Sequence, residues 1–269
     1  MNLRRLARIA RVLLTTQYAY MLEYRAEIVL WALSGVLPFI MLGVWSGVAA
    51  GGGGAAVAGG LDAVALARYF LAAFFVRQFT IVWVMFVFEE DALQGRLSPW
   101  LLQPLAPVWR YVSAHLAEQA TRAPFVVVIV AIFFLLHPAA FRLPSPGPFL
   151  LGLLTIPLVF ALRFLLQHAI TMLCFWSERA SALERLQMIP YLFLSGLVAP
   201  LEAFPEPVRA FAMATPYPAM IHFPAQLLAG GTVDVAAGFT SLLGWGALLL
   251  PLNLLLWRAG LRRYSAMGA

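Results

Sequence analysis

Few residues in this chain could do chemistry, and several of them stand inside apolar stretches. Arg77 and Arg163 sit near the middle of long hydrophobic runs, and Arg163 leads a polar stripe at helical spacing through Gln167, Thr171 and Cys174. An arginine at the bilayer centre costs at least about 2.5–3.5 kcal/mol unless it is satisfied. No Asp or Glu reads as lying at comparable depth, so the sequence predicts no internal carboxylate partner for either arginine, and the stripe must face protein or water. Two readings stay open: a lining of a transport path that meets an anionic substrate group, or bonding to backbone carbonyls and glutamines at a helix–helix or subunit interface.

Other chemistries are poorly supplied. Cys174 is the single cysteine, which leaves neither a disulfide nor a cysteine metal cluster. The four histidines, His115, His137, His168 and His222, share no metal-ligand spacing and read as chance placements; no metal site is expected. All 18 basic residues are arginine. Without lysine there is no P-loop to hold nucleotide phosphates and no Schiff-base chemistry. No nucleophile–base constellation is visible, so no catalytic residue is assigned.

The elements that carry these residues are set by composition. Of 269 residues, 62% are hydrophobic and only 11% charged, and the mean hydropathy is +0.86. One core cannot hide that much apolar surface, so the chain reads as an integral membrane protein. Uncharged runs of about 20 residues mark spans. Six are predicted, at about 28–50, 64–88, a third ending near Leu136, 148–176, a short fifth at 184–199, and 235–257. The first is bounded by Gly51 to Gly54. No cleaved leader is expected, since the first long apolar run is of span length and follows Glu23, Arg25 and Glu27.

A net charge of +6 is compatible with nucleic acid, but the arginines here have a topological job. Arg4, Arg5, Arg8, Arg11, Arg25, Arg96, Arg110, Arg179, Arg185, Arg258, Arg262 and Arg263 fall on one side, against Arg68, Arg142 and Arg209 on the other. Twelve against three places both termini in the cytoplasm. Residues 1–26 read as a basic interfacial helix, with Arg4, Arg8 and Arg11 on one face and Leu3, Leu6, Ala10 and Leu14 on another. Glu118 and Arg122, four apart, are expected to pair, or to link to the N-terminal helix. Glu23 and Glu27 are candidate partners for Arg25.

Two connections are not ordinary loops. Residues 89–110 open with Glu89, Glu90 and Asp91, placed where a helix N-terminus would favour them. Leu97, Trp100, Leu101 and Leu102 then form an apolar patch, and Gly95, Pro99, Pro104 and Pro107 keep any helix short. Such an element suggests a docking surface with Arg96 as a polar contact, or an interfacial segment dipping back into lipid. Residues 200–232 are too apolar for a solvated loop and hold six prolines. Two short helices, about 205–214 and 219–229, are expected there, packed on protein or lining a cavity, at the outer face or dipping partly into it.

In its order of elements the chain resembles the permease subunit of type-2 ATP-binding-cassette exporters. Gly95-Arg96-Leu97-Ser98 followed by Leu101-Leu102-Gln103-Pro104-Leu105 looks like the "GRLS…LLxPL" signature of one uncharacterised bacterial branch. Ser195-Gly196-Leu197 with Pro200-Leu201-Glu202-Ala203-Phe204-Pro205 resembles the stretch before that family's outer helices, and Tyr24-Arg25 before the first span also fits. The resemblance implies an all-α integral membrane fold: six transmembrane helices, an N-terminal interfacial helix, a cytoplasmic coupling helix and short outer helices before the sixth span, in a single transmembrane domain over residues 1–269. It implies a multi-pass protein of the bacterial inner membrane, a second permease of the same or a different chain, and ATPase subunits on separate chains. Those subunits would bind ATP and Mg²⁺ and grip the segment at Arg96, Leu97, Trp100, Leu101 and Leu102; this chain would bind no cofactor and no nucleic acid. A self-contained secondary transporter is the alternative. The absence of internal repeats and of a buried Asp or Glu to carry a proton argues against it.

Overall fold

The computed structural model describes residues 3–23, 30, 35–50, 60–142, 145–177 and 180–264. Among the described residues every regular element is helical. The α-helices are α1 (Leu3–Glu23), α2 (Leu37–Val48), α3 (Ala63–Thr80), α4 (Val84–Leu93), α5 (Leu97–Leu101), α6 (Val108–Leu136), α7 (Pro146–Thr171), α8 (Ala180–Leu194), α9 (Glu206–Met213), α10 (His222–Ala229) and α11 (Val235–Arg263). Short 3₁₀ turns join several of them.

Four helical stretches are long and apolar enough to cross a membrane: Ala63–Leu93, Val108–Leu136, Pro146–Phe175 and Val235–Arg263. They match the second, third, fourth and sixth predicted spans. Among the described residues of the first, α2 supplies 12. Tyr24-Arg25, Glu27, Arg179 and the Gly51–Gly54 run lie outside the described residues. The fifth prediction changes: α8 starts at Ala180 rather than 184, ends at Leu194, and has 15 residues, short of the roughly 20 that cross the hydrocarbon core. Two short helices stand within 200–232 as α9 and α10, the second starting at His222 rather than 219.

Local sequence sets the helix starts. Asp62 and Asp234 cap α3 and α11, their carboxylates accepting from the amides of Ala65 at 2.7 Å and Ala237 at 2.9 Å. Pro146 lies at the first position of α7, where no amide is needed. Pro124, Pro157, Pro190 and Pro251 all lie within helices, as membrane helices tolerate when neighbours satisfy the freed carbonyls.

The stretch α3–α4 is the central post. Its most apolar window is 67% buried, against 22% for α6 and 17% for α11. Around it lie two hydrophobic cores, one including Leu66, Phe70, Val159 and Met220, the other Phe88, Leu97, Tyr111 and Met172. α10 wedges between α3 and α7, and α11 lies along α7.

The N-terminal helix packs against α6. The half-buried stripe is Ile9, Leu13, Gln17 and Met21, spaced four apart, opposite the exposed Arg4, Arg8 and Arg11. Ala10 and Leu14, read from sequence as part of the apolar face, are exposed instead. The docked face is the one that meets α6, which the helix's own periodicity does not specify.

Candidate functional site

The second long helix is not continuous. It stops at Thr80, runs extended through Ile81 and restarts at Val84. Three successive residues, Thr80, Ile81 and Val82, are β-branched and stiff at χ1, and the Thr80 hydroxyl folds back onto the Val76 carbonyl at 2.8 Å. A break at this depth strands backbone groups that lipid cannot satisfy. The facing side of α6 supplies partners. Arg122 Nη1 donates to the Gln78 carbonyl at 3.0 Å, and the Trp83 amide donates to His115 Nε2 at 2.8 Å. The other ring nitrogen of His115 faces the Tyr111 carbonyl at 2.7 Å, so Nδ1 carries the proton and Nε2 accepts. Glu118, between them on the same face, pairs with Arg122. His115 is thus a seal for the helix break rather than a chance placement.

The polar stripe on α7 meets a carboxylate that the sequence does not predict at this depth. α8 turns back beside α7, which sets Glu184 opposite Gln167 and Tyr191 opposite Arg163. Gln167 Nε2 donates to Glu184 Oε1 at 2.8 Å. Arg163 Nη1 donates to the Tyr191 hydroxyl at 2.7 Å, lies 3.4 Å from Thr80 Oγ1, and its guanidinium stacks 4.3 Å from the Tyr191 ring centre. The Glu184 carboxylate acts on Arg163 electrostatically. The expectation of no carboxylate at this depth is therefore corrected: Glu184 opens the predicted fifth span, yet the packing of α8 against α7 sets it beside Gln167. Arg77 reaches the same Tyr191 hydroxyl and lies within electrostatic range of both Arg163 and Arg122. Thr171 bonds within its own helix, to the Gln167 carbonyl at 2.8 Å. The cavity among Arg163, Gln167, Glu184 and Met220 is about 10 Å³, room for about one water.

At the other end of α4 the chain makes a tight elbow. Gly95 adopts φ 71°, a left-handed conformation that ends the helix and launches α5. The acidic run before it lies in the last turns of α4, not at a helix start as the sequence suggested, and each carboxylate is engaged elsewhere. Glu89 accepts from the Ser181 amide at 2.6 Å and its hydroxyl at 3.1 Å, at the N-terminus of α8, where a negative charge is favoured. Asp91 accepts from the Tyr111 hydroxyl at 3.1 Å, and Arg96 pairs with Glu90 and, at 3.3 Å, with Asp91.

The five residues singled out in the elbow separate by exposure. Leu97 is fully buried in the second core, and Trp100 and Leu101 are half-buried against it. The Arg110 guanidinium lies 5.1 Å above the Trp100 ring, and the Ser98 and Tyr264 hydroxyls are 3.0 Å apart. Leu102 is 90% exposed. The elbow is therefore tied to α4, α6 and the end of α11 at once.

On the opposite side, residues 195–200 run non-helically yet almost wholly buried. Three donors collect their carbonyls: the His222 amide on Ser195 at 2.9 Å, the Tyr69 hydroxyl on Gly196 at 2.7 Å, and Trp45 Nε1 on Val198 at 2.9 Å. Glu202 accepts from Gln226 at 2.7 Å and lies 3.5 Å from His222 Nε2. Burial lowers the His222 pKa from its ordinary value, and Glu202 opposes that shift. His168 also has a structural role, its Nδ1 donating to Asn253 Oδ1 at 2.8 Å to tie α7 to α11. Among the described residues no group of three or more His, Cys, Asp or Glu is placed to hold a metal ion.

Nothing among curated proteins matches the chain. Residues 61–268, which contain the helix break, the arginine network and the elbow, match the family described as ABC-2 family transporter protein. With four apolar helices of spanning length, the chain is a multi-pass membrane permease and belongs to the ABC-2 transporter family.

Proposed function

We propose that the chain is the transmembrane permease subunit of an ATP-binding-cassette exporter, in the "GRLS…LLxPL" branch. It acts in the bacterial inner membrane with both termini cytoplasmic. It forms a single transmembrane domain of six spans, the first at about 28–50 and the fifth at about 184–199. It has no catalytic site of its own. ATPase subunits on separate chains bind ATP and Mg²⁺ and drive it, and a second permease, of the same or a different chain, completes the substrate path. What supports an internal-contact role for Arg163, Gln167 and Thr171 is their bonding within the protomer. Arg77, half-buried beside them, is the residue we place nearest the path or subunit interface.

The observation that carries this reading is the elbow. A device that receives force from another chain needs a rigid contact tied to several helices, and α5 has that form: Leu97 in the core, Ser98 against the end of α11, Arg96 on α4, and Leu102 presented outward. Leu102, with Trp100 and Leu101 as its buttress, is the docking point. The test is capture of the ATPase by the full-length permease together with ATP hydrolysis in lipid. Loss of capture in Leu102→Asp supports the reading; unchanged capture, hydrolysis and export overturn it.

One observation favours a second reading. Glu184 is a buried carboxylate, the kind of group a proton-driven secondary transporter requires. Transport by this chain alone under an imposed pH gradient, abolished in Glu184→Gln, would establish it. ATP-dependent transport that survives Glu184→Gln would remove it.

A further inference from the structure

Between α3 and α6 lies a groove of about 770 Å³, closed at one end by Ala140, Phe141, Arg142 and Ser145 and by the C-terminal end of α10. Its walls are apolar, with Leu71, Phe75, Val126 and Phe134 among them. It follows α3 from Arg68 to Phe79 and α6 from Phe134 back to Ala123. Eleven residues of helix rise about 17 Å, roughly half of the ~30 Å hydrocarbon core. The groove is therefore one leaflet deep.

Its closed end is charged. Arg68 is set there by two carbonyls, Nε donating to Ala140 at 3.0 Å and Nη2 to Ala139 at 3.4 Å. Exposed Arg142 follows two residues on. No carboxylate lines the groove among the described residues. An occupant must then have an apolar body one leaflet long and an anionic head. A second copy docked face to face fits poorly, because it would bring four arginines together without a carboxylate in the groove.

We propose that this groove holds the acyl chains of an anionic phospholipid whose phosphate lies at Arg68 and Arg142. Only the choice of leaflet rests on the topology proposed above, which makes it the outer one. The test uses the purified full-length chain in detergent, titrated with dioleoyl phosphatidylglycerol and followed by native mass spectrometry. Dioleoyl phosphatidylcholine and the bare headgroup glycerophosphoglycerol serve as controls. Phosphatidylglycerol should bind best, with about a fivefold contribution from each arginine. Arg142→Gln should remove about fivefold of that preference and leave phosphatidylcholine unchanged. Val127→Trp, at a lining position 68% exposed to solvent, should weaken both lipids. Equal binding of the two lipids, or no effect of Arg142→Gln, overturns the proposal. So does full competition by glycerophosphoglycerol, which would mark an anion site alone. Disulfide cross-linking of Val127→Cys between copies, with loss of lipid, would identify a second copy as the occupant instead. No ATPase enters the assay, so failure here leaves the coupling reading standing, and failure of coupling leaves this result intact.

Discussion

Arg122 donates to the main-chain carbonyl of Gln78 at 3.0 Å, across the gap between the third and second long helices. That carbonyl needs a donor because α3 ends at Thr80, before residue 82 can close the helical bond. Arg122→Met should remove the side-chain donor to that carbonyl and leave the Glu118 carboxylate without its cation. Removing one partner of a buried pair costs about 3–5 kcal/mol, so unfolding in detergent should shift down accordingly. The double variant Arg122→Met/Glu118→Gln should recover part of the loss. Unchanged stability in the single variant would show that water, not Arg122, seals the break.

The elbow residues should separate into two classes. Leu97→Ala empties a fully buried site and should cost about 2–5 kcal/mol in unfolding, whatever it does to coupling. Leu102→Asp alters a side chain that is 90% exposed and should leave the melting curve within about 0.5 kcal/mol while weakening capture of the ATPase. If Leu102→Asp melts early or Leu97→Ala does not, the elbow is oriented differently.

Gly196 has φ 88°, and a Cβ there would meet the Tyr69 hydroxyl. Gly196→Ala should cost about 1–3 kcal/mol for the backbone conformation alone, plus the displaced Tyr69 bond. Tyr69→Phe removes the obstructing oxygen, so the double variant should be less unstable than the sum of the two single ones. Simple additivity would mean the two residues are not in contact.

Arg163, bonded to Tyr191, and Glu184, bonded to Gln167, face one small cavity and act on each other electrostatically. Arg163→Met should lower stability, and adding Glu184→Gln should restore part of it, since the second change removes the charge left uncompensated. Export by the assembled complex is the parallel measurement. Loss of export with stability intact would return Arg163 to the substrate path.

The proposed orientation is open to direct labelling. In a Cys174→Ser background, cysteine at exposed Leu102 should react only from the cytoplasm, and cysteine at exposed Ala210 only from outside. The reverse pattern would invert the topology.

Sequence alone determined that this is a membrane protein of long apolar helices, because that follows from composition and from uncharged runs of span length. It also predicted two short helices, at about 205–214 and 219–229, which stand at Glu206–Met213 and His222–Ala229, and the Glu118–Arg122 pair, since prolines and four-residue spacing act within one segment. The break at 81–83 left a trace in the β-branched run Thr80-Ile81-Val82, but its position depends on Arg122 and His115 arriving from another helix. Glu184 as a neighbour of Arg163, Leu97 as a core residue rather than an exposed anchor, and Glu89 as a cap for α8 are contacts between segments 17 to 92 positions apart. Local periodicity does not encode which faces of two helices meet. Burial and the need to satisfy each backbone polar group in lipid decide that, and they do so only once the helices are packed together.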